Sequence, residues 1–415
     1  MKKKSFSTAV IGGGPAGSFS SIFASESGSE VVIFDKNHKI GGKLPVTGNS
    51  RCNITNESIS QDNYVGENND FVRNVFARFS AESLIDYFKE LSVGLYREKD
   101  RYYPSSGKSS TIIDALEKKL KGNRVELMLN SSVESVSKIR DSFIIVSSCG
   151  TFSAKSLIIC TGGKSYSKIF GSGGGFSLAE QLGHSVRAVS PGLTSFIIKE
   201  NRFKSLMGVS LEVSLSLHAD DRKIFSRSGP ILFTHFGVSG PLVMDCSNRL
   251  AQFGSAQAEI VIDFLNNAFT DFKSFYEEMS KSDSKRALRF LSKYIPNSLS
   301  ALVLSNLSIN SEAKTSDIKK TKIRELFEFL SECRIIVSLN KNFDEAQVTV
   351  GGVKTGEINP RTMESKIVKN LYFAGEVIDI AGDCGGYNLQ FAFSTGYIAG
   401  KSSSEENNHA QMHKG

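Results

Sequence analysis

Residues 6–17 read FSTAVIGGGPAG. Ala9-Val10-Ile11 predicts a short buried strand, and Gly12, Gly14 and Gly17 follow it with the G-x-G-x-x-G spacing. Pro15 and Ala16 stand where a helix opens; the fixed φ of proline suits a first turn, and the N–H it lacks has no helical partner there. Each glycine has a mechanical part. Gly12 allows the tight turn, Gly14 lets a pyrophosphate lie against the backbone, and Gly17 lets helix and strand pack closely. The helix N-terminus turns free N–H groups and the positive end of its dipole toward the phosphates. A second strand, Val31-Val32-Ile33-Phe34, ends in Asp35, placed to accept hydrogen bonds from an adenosine ribose. Alone, this spacing also fits a glycine-rich turn in an unrelated α/β protein.

Two later segments narrow the reading. Ser156 to Gly163 is SLIICTGG, a buried strand ending at Thr161 and Gly162. Asn370 to Glu376 is NLYFAGE, a strand ending at Gly375-Glu376. It leads through Gly382-Asp383-Cys384-Gly385-Gly386-Tyr387-Asn388 into an apolar helix from Leu389 to Gly400. A site assembled from both chain ends suits a long cofactor. Adenosine would sit on the first βαβ unit and the ribitol at Gly375-Glu376. The helix opening at Tyr387-Asn388 would face a flavin ring, where its dipole stabilises negative charge on the reduced form. The expected cofactor is FAD.

Composition sets wide bounds. The chain has 415 residues, enough for two or three domains, with 40% hydrophobic and 22% charged content. No apolar run approaches the roughly 20 residues of a membrane span. Lys2-Lys3-Lys4 mimics the start of a signal peptide, but Gly12-Gly13-Gly14 breaks the apolar run behind it, so a cytoplasmic protein is expected. The six cysteines (52, 149, 160, 246, 333 and 384) are scattered without a C-x-x-C pair, which argues against a disulfide framework and a zinc site. The net charge of +7 is a mild excess that permits a polyanionic partner without demanding one.

Residues 41–56, GGKLPVTGNSRCNITN, cannot build a core and make a poor helix or strand. Such a loop is expected to bring its backbone close to something.

With these segments in place, the chain resembles the bacterial YhiN/BaiN-like flavoproteins, NAD(P)/FAD-dependent oxidoreductases. Besides the N-terminal glycines, the resemblance rests on GNSRCN at 48–53, FTHFGVSGP at 233–241, VGGV at 350–353, TMES at 362–365 and GGYNLQ at 385–390. It implies a Rossmann-like FAD domain built from residues 1–190 and 354–402. Residues 191–265 and 334–353 would form an inserted β-barrel-like substrate domain and 266–333 a helical cap; the tail 403–415, from its polar composition, is expected to fray. It also implies that the 41–56 loop wraps the flavin side of FAD, with Cys52 near the ring. Cofactor contacts then extend to Pro15, Ala16, Lys36, Gly42, Lys43, Arg51, Asn53 and Val133. Asp379, Gly386, Tyr387, Asn388 and Leu389 complete the set with Thr161, Gly162, Gly375 and Glu376. The chain departs from the family between Lys164 and Gly175, where a proline is missing and a glycine cluster reads as a flexible turn.

In the insertion, Val209, Leu211, Val213, Leu215 and Leu217 alternate with polar residues, which predicts a half-buried strand. Gln347 to Val350 is expected to supply the last strand of that sheet. From about Asp271 to Cys333 the pattern is helical, with Leu288, Leu291, Tyr294 and Ile295 on one face and Ile323, Leu326, Phe327 and Leu330 on another. Lys285, Arg286, Arg289, Lys319, Lys320, Lys322 and Arg324 fall on this cap among nearly as many acids.

No second nucleotide fold is legible, so NAD(P)H is expected to visit the flavin transiently. The resemblance offers several reactions. One branch reduces a uridine of large-subunit (23S) ribosomal RNA to dihydrouridine, another reduces steroid enones, and some members carry an aminoacetone oxidase label. The first two share hydride delivery from flavin N5 to a C=C conjugated with a carbonyl, followed by a proton. That chemistry needs a donor at the carbonyl oxygen and a positioned acid. The mildly basic chain favours the ribosomal RNA. A small enone, oxidation of a small amine, and a non-catalytic FAD-containing binding protein are the alternatives. An unperturbed thiol titrates near about 8.5, so Cys52 is a candidate proton donor. Cys384 and Tyr387 are further catalytic candidates, and His235 is a candidate substrate contact or a hydrogen-bonded structural histidine. Arg51 and Lys43 are expected to offset cofactor or substrate charge.

Overall fold

β1 runs from Lys4 to Ile11, longer at its start than the apolar run implies. The computed structural model describes residues 4–171, 173–255, 257–282 and 286–412. After the glycine turn come α1 (Pro15–Glu26) and β2 (Val31–Phe34). β1 pairs in parallel with β2, Ile11 opposite Phe34, and on its other side with the strand Gly150–Ile159, Ile11 opposite Ile159. β2 pairs in parallel with Glu126–Met128, and the end of Gly150–Ile159 with Leu371–Phe373. Ser142–Ser147 and Val133–Ile139 extend the sheet antiparallel from the start of Gly150–Ile159. All of β2 is buried, as parallel strands covered on both faces are. Because the central strands share a direction and register, Gly12, Asp35, Thr161 and Gly375 reach the same edge of the sheet. That carboxyl edge is where open α/β sheets bind ligands.

The chain divides into two compact units: Met1–Gly192 with Asn342–Gly415, and Leu193–Lys341. The second contains a closed six-stranded barrel. Its order is Phe196–Ile198, Gly237–Ser239, Arg222–Phe233, Ser210–Ala219, Gln257–Asp263 and Cys333–Leu339. Val213, Leu215 and Leu217 are buried, as their alternation predicts. Helices Phe272–Ser280, Ala287–Leu291, Asn297–Asn306 and Lys320–Ser331 belong to the same unit. They bury Leu291, Ile323, Leu326 and Leu330 in its core, joined by Ile295 from the link between two of them; Lys285 lies outside the described residues.

Three expectations need correction. The barrel closes with Cys333–Leu339; Val348–Val353 pairs antiparallel with Val186–Gly192 in the first unit. Every residue of Val348–Val353 is buried, so the strand has no alternation that would tie it to a half-exposed barrel face. Second, the tail expected to fray from residue 403 is helical as far as Met412. Ser404 helps to hold it, its hydroxyl donating to Ala24 O at 3.1 Å and lying 2.8 Å from Ser29 Oγ. Residues 413–415 lie outside the described residues. Third, the glycine cluster after Lys164 opens a helix, Gly174–Gln181. Gly175 presses there on Thr161, a contact that leaves no room for a side chain.

Candidate active site

The glycine turn has the geometry its spacing predicts. Gly12 has φ +101°, and a β-carbon there would lie 2.5 Å from Cys160 O. One on Gly17 would lie 1.8 Å from Gly12 O, so helix and strand are in backbone contact. Gly14 differs. It is extended, at φ −71° and ψ −171°, and a β-carbon there meets nothing within 4 Å. The turn therefore presents open space directly before the N–H groups of α1. Pro15 and Ala16 begin that helix.

Asp35 is buried beside this space. Its Oδ2 accepts from Gly13 N–H at 2.6 Å, and its Oδ1 accepts from the backbone and side-chain N–H of Asn37 at 2.7 and 2.9 Å. A carboxylate offers about four lone-pair directions, so these bonds leave one for a ribose hydroxyl. Lys36 next to it is exposed. Ser131 N–H donates to Asp35 O at 2.8 Å, which brings Val133, two residues on, toward the same end of the sheet.

The 41–56 loop does fold back onto this edge. A β-carbon on Gly42 would lie 3.3 Å from Gly14 Cα. Lys43 Nζ lies 2.5 Å from Glu376 Oε2 and donates to Ser165 Oγ, while Glu376 Oε1 accepts from Thr349 N–H at 2.9 Å. Lys43 thus ties the loop to the strand end at Gly375, whose N–H is held by Thr395 Oγ1 at 2.9 Å. Between Asn49 and Cys52 three residues have positive φ: Asn49 at 54°, Ser50 at 66° and Cys52 at 63°. Strained backbone of this kind persists only where its surroundings over-determine it.

Cys52 is fully buried in the core, and burial pushes its thiol up to about 12 against a hydrogen bond with Thr47. With no exposed surface and core residues packed around it, the thiol faces the core and does not line the cradle. The expectation of Cys52 as proton donor beside the ring is therefore corrected to a packing role. Arg51 turns aside as well. Its guanidinium donates to Glu98 and Tyr96 and lies over the Tyr103 ring at 4.3 Å.

At the other chain end, the 382–386 loop closes the cradle. Asn388 clamps it, Oδ1 accepting from Gly382 N–H at 2.8 Å and Nδ2 donating to Gly382 O at 2.9 Å. Gly386 has φ +96°, and a β-carbon there would lie 2.6 Å from Thr55 O and 2.9 Å from Asn53 Oδ1. That Asn53 oxygen is buried without a hydrogen-bond partner among the described residues. Tyr387 is only 7% exposed, stands perpendicular to Tyr64, and accepts the Tyr64 hydroxyl on its carbonyl at 2.9 Å. It is a buried wall of the loop; Cys384 and Leu389 are partly exposed. Asp379 is 1% exposed, and burial raises its carboxyl above the ordinary range against the pull of Arg187 at 3.5 Å. His235 lies in the other unit, exposed in the turn between two barrel strands and edge-on to Phe236. Its exposure does not fit the hydrogen-bonded structural histidine that the sequence offered as one reading.

The edge therefore gathers the 12–17 turn, Asp35, Gly42, Lys43, Asn53, Glu376 and the 385–388 turn. An open phosphate turn, a spare acceptor at Asp35 and an orphaned acceptor under Gly386 fit a dinucleotide with a flavin at its far end. Sequence reading missed Asn56, Ser165 and Thr349, which tie this edge together, and Arg101, which lies beside Gly385. The two-residue Lys99-Asp100 turn marked the hairpin that carries Arg101, but gave no sign of what the arginine meets.

A family model described as the HI0933-like protein Rossmann domain matches residues 6–402. The chain belongs to that family. HI0933-like proteins are FAD-dependent oxidoreductases, in agreement with the resemblance read from the motifs. The 3-dehydro-bile acid delta(4,6)-reductase of Clostridium scindens is 30% identical over 402 residues, 95% of this chain and 98% of that one. The ribosomal RNA dihydrouridine synthase of Haemophilus influenzae is 30% identical over 406 residues, 96% and 98% of the two chains. In fold, the chain resembles the 3-ketosteroid delta1-dehydrogenase of Sterolibacterium denitrificans, with TM-score 0.53 and 12% identity over 97% of this chain and 100% of that one. Among the described residues, no helix is long and apolar enough to cross a membrane.

Proposed function

We propose that this HI0933-like protein is an FAD-dependent reductase of a C=C bond conjugated with a carbonyl, using NAD(P)H as reductant. Its proposed substrate is a uridine of large-subunit ribosomal RNA. The observation that carries the cofactor assignment is Gly14, which faces open space while its neighbours Gly12 and Gly17 are packed on backbone. When bound, FAD supplies the hydride chemistry, accepting hydride from NAD(P)H and delivering it from N5 to the β carbon of the conjugated bond.

The chain's own residues bind and orient. The first N–H groups of α1 hold the pyrophosphate at Gly14, and Asp35 accepts a ribose hydroxyl. The Lys43–Glu376 pair fixes the loop against the strand end, and the start of the helix at Tyr387 turns its dipole to the ring. Two relatives of equal identity carry names for reduction of very different molecules, a bile acid and ribosomal RNA. The conjugated double bond is what those substrates share. The basic excess of the chain supports RNA, whose target base must be unstacked to reach a flavin. The Clostridium relative supports a second reading, reduction of a small enone.

The test is anaerobic. Purified protein, its released flavin identified by chromatography, is reduced with NADH or NADPH and mixed with unmodified ribosomal RNA or with a 3-oxo-4-ene steroid. Rapid reoxidation by RNA, with dihydrouridine formed, is the expected result. Reoxidation by the steroid alone would establish the second reading. Finding FMN, or no flavin after reconstitution, would remove the cofactor assignment.

A further inference from the structure

Arg101 lies opposite Asn56 in the small sheet that joins the 41–56 loop to the hairpin after it. Asn56 Nδ2 donates to Gly385 O at 3.0 Å, so this sheet and the 382–386 loop are bonded together. A β-carbon on Gly385 would lie 3.4 Å from Arg101 Nε. The guanidinium is half-buried, and among the described residues no carboxylate lies within ion-pair distance of it. The other arginines of this region differ: Arg51 is paired with Glu98 and Arg97 with Glu57. Burial lowers the Arg101 pKa, but Cys384, Tyr103 and Asp100 more than offset this and hold it above its ordinary value. Cys384, partly exposed, is joined directly to Gly385, the residue whose backbone meets the guanidinium.

With no carboxylate paired to it among the described residues, this half-buried guanidinium keeps N–H groups that negative charge developing beside it can engage. We propose that Arg101 is the residue that receives the substrate's carbonyl oxygen, and that Cys384 beside it supplies the proton. The inference rests on the reductase reading above and adds the electrophile that reading lacks. In the balanced step, reduced flavin, itself reduced by NAD(P)H, gives a hydride to the β carbon. The π pair of the C=C then moves toward the carbonyl oxygen, where Arg101 N–H groups meet the developing enolate. The Cys384 Sγ–H bond breaks and its proton goes to the α carbon. The flavin is left oxidised, the C=C is reduced, and the thiolate takes a proton from water. A cation aimed at developing charge is worth most in a partly dry site, where no solvent must reorganise.

The test uses the FAD-loaded full chain and two readouts. The first is binding of 4-chlorophenol to the oxidised enzyme; its phenolate mimics an enolate oxygen and gives a long-wavelength charge-transfer band when stacked on flavin. The second is reoxidation of the reduced enzyme by RNA or enone. In Arg101→Gln, FAD content and the rate of flavin reduction by NAD(P)H are expected to stay at the parent level. Phenolate affinity should fall at least about tenfold, and reoxidation at saturating substrate by roughly 10²–10³-fold. Arg101→Lys should recover part of both, because it keeps the charge without the planar fork. Cys384→Ser should keep phenolate binding and slow reoxidation only. Arg101→Gln that binds phenolate and reoxidises like the parent overturns the proposal, as does a parent enzyme without phenolate affinity. If the parent binds phenolate through Arg101 but neither RNA nor enone reoxidises it, the oxyanion site stands and the reductase reading fails.

Discussion

A β-carbon on Gly14 would point into open space, whereas one on Gly17 would lie 1.8 Å from the carbonyl oxygen of Gly12. Both glycines belong to one motif, yet their substitutions should fail differently. Gly14→Val keeps an allowed backbone conformation and its β-carbon meets no atom within 4 Å, so the apoprotein should melt like the parent while FAD binding is lost. Gly17→Ala should instead lower the melting temperature of the apoprotein by separating α1 from β1, whatever the ligand. Calorimetry of both variants without flavin, followed by flavin titration, decides the matter; a destabilised Gly14→Val apoprotein would mean the space is not a ligand's. Cys52 gives a second case. Its buried thiol, raised to about 12, should resist alkylation in the native protein to well above neutral pH. Cys52→Ala should cost roughly 1 kcal/mol of stability and leave flavin reoxidation unchanged. Modification of Cys52 in the native protein at pH 8 would contradict this. The glycine roles were legible because the spacing sets which glycines pack on backbone and which one is left facing open space. The role of Cys52 was not, because its motif is silent about which way a left-handed residue turns its side chain.

Asp379 sits where three short elements meet: the strand Ile380–Gly382 that it precedes, that strand's partner Tyr64–Gly66, and the buried strand Val348–Val353. The backbone bonds there are made, Asp379 N–H donating to Val353 O at 2.9 Å, and the carboxyl is left to Arg187. Burial raises its pKa above the unfolded value of about 3.9. For an acid raised in this way, folding favours the protonated form. Its stabilising contribution is complete below the unfolded pKa and is lost as pH rises through the folded one. Asp379→Asn, which cannot ionise, should therefore gain on the parent as pH is raised from about 4 toward neutrality. Melting curves of the two apoproteins should diverge over that range, and curves that stay parallel would contradict the assignment. The same variant should bind FAD more weakly if the carboxylate contacts the cofactor. Sequence reading found Asp379 only through the resemblance. Its neighbours come from three distant segments, and no local pattern records that meeting. The Lys43–Glu376 bond was hidden for the same reason, although both residues were named separately.

Seen whole, the chain is a nucleotide-binding unit interrupted once. Leu193–Lys341 leaves and returns at adjacent points, Asn340 N–H donating to Ser195 O at 3.3 Å. Its first residues are anchored within the unit, Leu193 N–H by Asn248 Oδ1 at 2.8 Å and Thr194 N–H by Ser247 Oγ at 3.0 Å. Closure of six strands removes the free edges that make isolated sheets associate. A separate core runs from Phe196 through Ile260 and Phe290 to Leu330. The insertion was legible from its change of period, from 2 in the strands to 3.6 in the helices. Its far boundary was misplaced because Val348–Val353 is buried at every position, and a strand without alternation does not say which sheet it joins. These features together predict that residues 193–341, expressed alone, fold into a soluble unit that binds no flavin. Circular dichroism should show mixed strand and helix, with one cooperative thermal transition. A fragment that is unfolded or aggregates would mean that the barrel depends on the nucleotide-binding unit. Fusing its ends should then fail as well, whereas a short glycine linker from Gly192 to Asn342 in the complementary chain should leave FAD binding intact if the two units fold separately.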